Sequence, residues 1–410
     1  MHTLNPEQEA ALTTLLEFIQ DDDQKVIVID GMAGCGKTFL VNYFIHALAQ
    51  NNITLKDLGL PYKNYNIVLT ATTNKAAEAL GDTTCENVIT IHSALGLRVN
   101  HNNETNKTEL VRSYDGKSLF NSIVVVDEAS FVDEELKELI HDSIEGCKVI
   151  YMGDPAQLTP VNCNYSPVFS EGFSTIKLTQ IMRQANGNPI QAFSVGLRDC
   201  VLTGKFPDVD LVPGRIEQLG KRDFLDELKK EMLLSSKSKF LAWTNKTVVE
   251  ANAYISNFLS GNPILKVGDY AINNKYLTGR RFSIKTDQEV HISGMIPATV
   301  HGVSGHWITL SGYSAEFFLP EDPSLIEKVA DTLFKVQELD CLKVLRERWI
   351  DLRPAYACTI NKSQGSTYDT VFIDLDDLNK CRDKQTKIRL LYVAVSRAKE
   401  RVVMTGKFSL

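Results

Sequence analysis

Over the first half of the chain, short apolar runs alternate with longer amphipathic stretches. Four of the runs, "KVIVID", "NIVLTA", "SIVVVDE" and "CKVIYMGD", are apolar at nearly every position. A strand with one face in water alternates apolar with polar, so continuous runs of this length predict strands buried on both faces, as in a doubly wound parallel sheet. "FLVNYFIHALAQ" follows the first run with a helical pattern. After a break at "NGNP", residues 186–189, "KFLAWTN" and "TVFIDL" repeat the strand signature and predict a second α/β unit. Within it, residues 274–353 change character. They open with alternating strand patterns ("RRFSIKTDQEVHIS", "HWITLSGYSAEFFL") and continue as one charged helix ("SLIEKVADTLFKVQELDCLKVLRERWIDLR"), which reads as an inserted β-rich module. In the first unit, the polar stretch "RVNHNNETNKTELVRSYDGK" predicts a projecting β-hairpin, with short strands around "NHNNETNK". No internal repeat or low-complexity segment interrupts this organisation.

Composition changes the picture only slightly. A chain of 410 residues with 43% hydrophobic content is long enough for two or more domains with buried cores. "MHTLNPEQEAALTTLL" has no basic segment followed by an apolar core, and no apolar run approaches membrane-spanning length, so a soluble cytoplasmic protein without a membrane partner is expected. The cysteines (Cys35, Cys85, Cys147, Cys163, Cys200, Cys341, Cys358, Cys381) are scattered without a C-x-x-C pair and read as reduced structural thiols. A net charge of −7 excludes a protein coated in positive field. It leaves nucleic acid open, because a groove needs only local complementarity, and backbone N–H, Ser, Thr and Asn also hold phosphates.

The first definite chemistry is "GMAGCGKTF", Gly31 to Phe39, between a predicted strand and a predicted helix. It fits G-x-x-x-x-G-K-[ST] through Gly31, Gly36, Lys37 and Thr38. Glycines let the backbone turn its N–H groups toward a triphosphate, and the helix that follows adds the positive end of its dipole. Lys37 would reach the β- and γ-phosphates, and the Thr38 hydroxyl would ligate Mg²⁺. Kinases, GTPases, transporters and motors share this loop, so it predicts ATP and Mg²⁺ binding without saying what work is done. "IVVVDEAS" ends a buried strand on Asp127, suited to hold the metal through water, and Glu128, suited to deprotonate the attacking water. In "YMGDPAQLTPV", Asp154 and Gln157 are placed to sense the γ-phosphate; the alternative is an ordinary strand and loop.

Read together, "GMAGCGKT", "TATTNKAAEAL", "TIHSALGL", "VVVDEAS", "GDPAQLTPV", "LTQIMRQ", "AWTN", "TINKSQGST" and "LYVAVSRAK" occur in the order of the superfamily 1 helicases, and the chain resembles their RecD/Dda branch from Leu4 to near its end. The resemblance implies an α/β fold of two RecA-like parallel-sheet P-loop domains, residues 1–186 and 187–410. The first would carry a β-hairpin insertion (98–118) and the second a β-rich, SH3-like insertion (274–353). It implies that Gln8 reads adenine, against the alternative of an exposed helix start. Gly31, Ala33, Gly34, Cys35, Gly36, Lys37, Thr38, Asp127 and Gly365 would surround the nucleotide, Cys35 merely filling a variable loop position. Lys37, Glu128, Gln157, Arg183 and Arg397 would be catalytic, the two arginines facing the γ-phosphate from opposite sides of an interdomain cleft.

If each domain grips a neighbouring part of one strand, closure around ATP and reopening after hydrolysis become a step. The candidate grips are Thr72, Asn74, Lys75, Thr90, His92, Lys362, Ser363 and Gln364, whose groups suit phosphate and sugar without reading sequence. Each also has a structural alternative; for His92 the two readings weigh equally. The hairpin occupies the place of the family's strand-separating pin, although its polar tip lacks an aromatic; Tyr114 at its base is a candidate. The expectation is an ATP-dependent DNA helicase moving 5′ to 3′ on single-stranded DNA, with polarity resting on the resemblance alone. Forked duplex DNA is its expected partner, and it would act as a monomer in a bacterial or phage-infected cell, in replication or recombination. Two alternatives remain: a DNA-stimulated translocase that displaces proteins with little unwinding, and a small-molecule P-loop enzyme.

Overall fold

A computed structural model describes residues 3–102, 107–112, 118–160, 163, 165–181, 187–205, 207, 210–234, 237–260, 265–279, 282–286 and 288–409, with backbone alone for 98–102, 107–109 and 260. The four apolar runs of the first half form the strands Val26–Gly31, Asn66–Ala71, Ser122–Asp127 and Lys148–Gly153. They belong to a six-stranded parallel sheet edged by Ser174–Leu178 and Ile89–Thr90. Successive residues of a strand point to opposite faces. Ile27 and Ile29 therefore pack with Phe18, Phe44 and Leu48 on one side, and Val28 packs with Leu136 and Ile140 on the other. Both faces are covered, so neither can be polar.

The second sheet has five parallel strands in the order Ile216–Leu219, Ala398–Thr405, Tyr368–Asp374, Lys239–Ala242, Ala357–Thr359. The helices Pro189–Thr203 and Lys384–Ser396 share one core with it. Phe224 and Ile255 lie in a second core with Phe240, Phe372 and Val403. Asp377 organises the loop that follows the Lys239–Ala242 strand. It accepts from the amides of Trp243 and Thr244, the hydroxyls of Thr244 and Thr247, and Lys380.

The inserted region forms a five-stranded antiparallel sheet that starts at Tyr270, not Asn274, and closes on Leu352–Pro354. Of the expected strand "RRFSIKTDQEVHIS", Phe282–Ile284 instead pairs with Leu277–Gly279 in a separate two-stranded ribbon, and Glu289 begins the long central strand. The expected single charged helix is two helices, Leu325–Lys335 and Leu339–Arg348. Gln337 between them adopts φ 60°, a left-handed conformation costing roughly 1–2 kcal/mol for a residue with a Cβ. The reversal buries Ile326, Ala330 and Leu333 in the same core as Leu342, Leu345, Trp349 and Phe318. A straight helix would leave one of these two apolar faces in water.

The predicted hairpin is present as the antiparallel pair Leu97–Asn102 and Lys107–Arg112, and the Leu110 amide donates to the Glu135 carboxylate at 3.2 Å. Its tip and Tyr114 lie outside the described residues. All eight cysteines are free thiols. Among the described residues, no helix is long and apolar enough to cross a membrane.

Candidate nucleotide site and nucleic-acid groove

The first parallel sheet delivers its phosphate loop from the end of Val26–Gly31. A Cβ on Gly31 would sit 2.4 Å from Cys35 Sγ and 3.1 Å from the Leu178 carbonyl, so only glycine fits there. Gly34 and Gly36 have φ of 87° and 82°, which glycine adopts without strain. Gly36 caps the Lys37–Asp57 helix with no side chain, leaving the first-turn amides for an anion. Lys37 Nζ lies back on the loop, donating to the carbonyls of Gly31 (2.6 Å) and Met32 (3.1 Å). Burial opposes its charge, yet Cys35, Asp154, Glu128 and Asp127 around it hold its pKa above the ordinary value.

Asp127 and Glu128 end the strand Ser122–Asp127 beside this loop. Burial pushes the Asp127 carboxyl up to about 7, and Glu128 adds to the rise, while Lys37 and the Glu128 amide oppose it. Glu128 holds φ 52°, and its Oε2 is buried without a hydrogen-bond partner among the described residues. The Thr38 hydroxyl lines the same cavity as the two acids. Hard oxygen donors, a carboxyl whose ionisation is suppressed and an unmatched carboxylate oxygen together fit a Mg²⁺ ion.

These groups line a cavity of about 390 Å³ with Ala33, Gly34, Gly36, Phe39, Ala76, Gln157, Gly365 and Arg397. Gly365 and Arg397 come from the second parallel-sheet unit. Gly365 has φ 80°, and a Cβ there would lie 3.5 Å from the Ala76 amide of the first unit. Arg397 is 2% exposed, and its guanidinium donates to the Ser396 hydroxyl (2.9 Å) and the Ser366 carbonyl (3.3 Å). Gln157 accepts a 2.6 Å hydrogen bond from Gln364 across the two units.

Several expected nucleotide residues are placed elsewhere. Gly31 and Cys35 support the loop from beneath and do not line the cavity. Gln8 is neither an exposed helix start nor a cavity residue. It is 1% exposed, its Oε1 accepts from the Asn5 amide in a capping box, and its Nε2 donates to the Cys35 carbonyl. Arg183 lies outside the described residues. Asp154, expected as a γ-phosphate sensor, does not line the cavity. It pairs with Arg198 (3.1 Å), accepts from the Tyr392 hydroxyl, and shares Arg198 with Asp30 (2.9 Å). Arg389 donates to the carbonyls of Pro155 and Gln157. Arg198, Arg389 and Tyr392 thus join the second unit to the first, and nothing in their amphipathic helices signals it.

A larger groove of about 1120 Å³ runs across both units and the ribbon of the insertion. Thr72, Asn74, Lys75, Thr90, His92, Lys362 and Gln364 all line it, as do Phe131, Tyr276, Ser283, Lys285 and Asn361, which the sequence reading did not single out. Ser363 does not, being 0% exposed with its hydroxyl donating to the Ile360 carbonyl at 2.7 Å. Thr90 also caps the short helix Ile91–Ala94. Burial lowers the His92 pKa, with Asp133 opposing, which favours the neutral imidazole.

Both parallel sheets contribute groups to one cavity. That arrangement defines a P-loop ATPase built from two RecA-like domains. Residues 3–204 match the AAA domain family, and residues 354–405 match the UvrD-like helicase C-terminal domain family. The chain is 25% identical to the ATP-dependent DNA helicase dda of Enterobacteria phage T4, over 96% of this chain and 97% of that one. It superposes on the Pif1 helicase of Candida albicans with TM-score 0.56 at 19% identity, covering 99% of this chain and 95% of the other. With the Pif1 helicase of Bacteroides in complex with ADP-AlF3 and ssDNA, the TM-score is 0.54 at 18% identity, over 100% and 94%. Together the two family matches and the full-length likeness to a phage helicase indicate a superfamily 1 helicase of the Pif1/RecD/Dda type.

Proposed function

We propose that this ATP-hydrolysing DNA helicase moves 5′ to 3′ on single-stranded DNA and unwinds forked duplex, using an ATP cleft between residues 1–186 and 187–410. The observation that carries the reading is the meeting of both units in one cavity, with Lys37, Glu128 and Gln157 on one side and Gly365 and Arg397 on the other. Lys37 and Arg397 neutralise the transferring phosphoryl group, Glu128 takes the proton of the attacking water, and Gln157 orients that water. Arg183 is the second arginine of the set. Thr38 directly and Asp127 through water would hold Mg²⁺, which offsets phosphate charge when bound.

The groove takes the strand. Thr72, Asn74, Lys75, Thr90, His92, Lys362 and Gln364 offer hydroxyl, amide and cationic groups that hold a backbone without reading bases. Gln364 reaches both the groove and Gln157, so closure on ATP alters the grip. The hairpin 98–118 acts as the pin, and the β-rich insertion, residues 270–354, brings Tyr276 and Lys285 to the groove wall. The 5′ to 3′ direction and a monomeric form working in replication or recombination in the cytoplasm complete the reading. Its test is ATP hydrolysis with and without an oligothymidylate. Stimulation by the oligonucleotide, lost on Arg397→Ala, is expected; a rate indifferent to DNA would refute the coupling.

A further inference from the structure

We infer that Thr72 is a positioning residue that ties groove occupancy to the aim of Glu128. This rests on the reading of the groove as the strand site and of Glu128 as general base. Thr72 stands where the Asn66–Ala71 strand leaves the sheet, and it lines the groove with Asn74 and Lys75. It turns its hydrogen-bonding groups toward the other site. Its hydroxyl donates to the Glu128 carbonyl at 3.0 Å, and its amide donates to the Asp127 carbonyl at 3.1 Å. Those two bonds hold the carbonyls of the two peptides that flank the Glu128 Cα.

Glu128 needs that hold. Its φ of 52° is disfavoured for a side chain with a Cβ, and such conformations persist only where neighbours over-determine them. The same conformation sends its carboxylate into the nucleotide cavity, where Oε2 has no hydrogen-bond partner among the described residues. Thr72 is therefore a groove residue whose side chain bonds directly to the backbone of the proposed base. A phosphate drawn to Thr72 would shift its backbone, and that shift reaches Glu128 through a single bond. No charge moves and no helix turns; one peptide is released or fixed.

The experiment compares Thr72→Val, which keeps the shape and removes the hydroxyl, with Thr72→Ser, which restores it. ATP hydrolysis is measured at saturating oligothymidylate, with KM for ATP and Kd for the labelled oligonucleotide. A positioning role predicts that Thr72→Val lowers the DNA-saturated kcat by about tenfold, the effect of one lost transition-state hydrogen bond. KM for ATP should change less than about twofold, and Thr72→Ser should recover most of the rate. A raised Kd with kcat unchanged at saturation would overturn the inference and make Thr72 a plain phosphate ligand. Equal losses in the Val and Ser variants would overturn it as well, because the hydroxyl would not matter. The wild-type control separates the underlying reading: a rate that ignores DNA, or a Glu128→Gln variant of full activity, removes the reading and this inference together.

Discussion

The hydrogen bond from Gln364 to Gln157 is the most direct link between the groove and the nucleotide cavity, and its contribution can be worked from the structure. Both side chains are buried, at 4% and 2% exposure, and the contact is 2.6 Å between neutral amides. A neutral bond of this kind contributes about 0.5–1.5 kcal/mol net, and a buried partner left unmatched costs about 1–3 kcal/mol more. Gln364 Oε1 is buried without a partner among the described residues, so truncating Gln364 also removes an unsatisfied group, which keeps its own stability cost small. The informative quantity is therefore the coupling between the two positions. Gln157→Ala, Gln364→Ala and the double variant form a cycle read in kcat of DNA-stimulated ATP hydrolysis. A coupling of about 1 kcal/mol corresponds to about fivefold, so the double variant should be about five times faster than the product of the single effects. Single effects that simply multiply would show that the bond carries no information between the sites.

Other expectations follow from single groups. Lys37→Ala and Glu128→Gln should each lower ATP hydrolysis by on the order of 10²-fold or more. Glu128→Gln should still bind a fluorescent ATP analogue normally; equally weak binding would make Glu128 a structural residue. Asp377 supplies a pH test of the second domain. Burial alone would raise its pKa, but Lys380, Thr247 and Thr244 outweigh burial and hold it at about 2, below the ordinary 3.8. A depressed carboxyl stabilises the fold above its unfolded pKa and loses that contribution as pH falls through its folded one. Asp377→Asn should cost about 2 kcal/mol in urea unfolding at pH 7, with the gap to wild type closing as pH falls from 4 toward 2. A constant gap would mean that shape, not charge, matters at this position.

Much of the fold was legible because its core strands are buried on both faces. "SIVVVDE" has no polar position to spare, so its run could be read directly. The edge strand Ser174–Leu178 was not legible, because three of its five residues are exposed and its polar–apolar alternation spans only Thr175 to Leu178. The turn at Gln337 escaped for a different reason. Neither glycine nor proline marks it, and the reversal follows from two apolar faces that must share one core. At the site, the phosphate loop and the acid pair stood out because their chemistry demands particular residues at particular spacings. Gln8 and Asp154 looked available in sequence but are consumed by a capping box and by Arg198. Asn5, the capping partner of Gln8, is only three residues away, but Cys35 and Arg198 lie 27 and 44 residues from Gln8 and Asp154, beyond anything local pattern can express.

The central claim is that ATP hydrolysis between the two RecA-like domains drives this chain along one strand of a fork. Unwinding of a 5′-tailed and a 3′-tailed duplex, each with ATP and with a non-hydrolysable analogue, tests it most directly. The account predicts that ATP, and not the analogue, separates the 5′-tailed duplex while leaving the 3′-tailed one paired. Unwinding confined to the 3′-tailed duplex would contradict the proposed direction, and unwinding of neither, with DNA-stimulated hydrolysis intact, would contradict the strand separation itself.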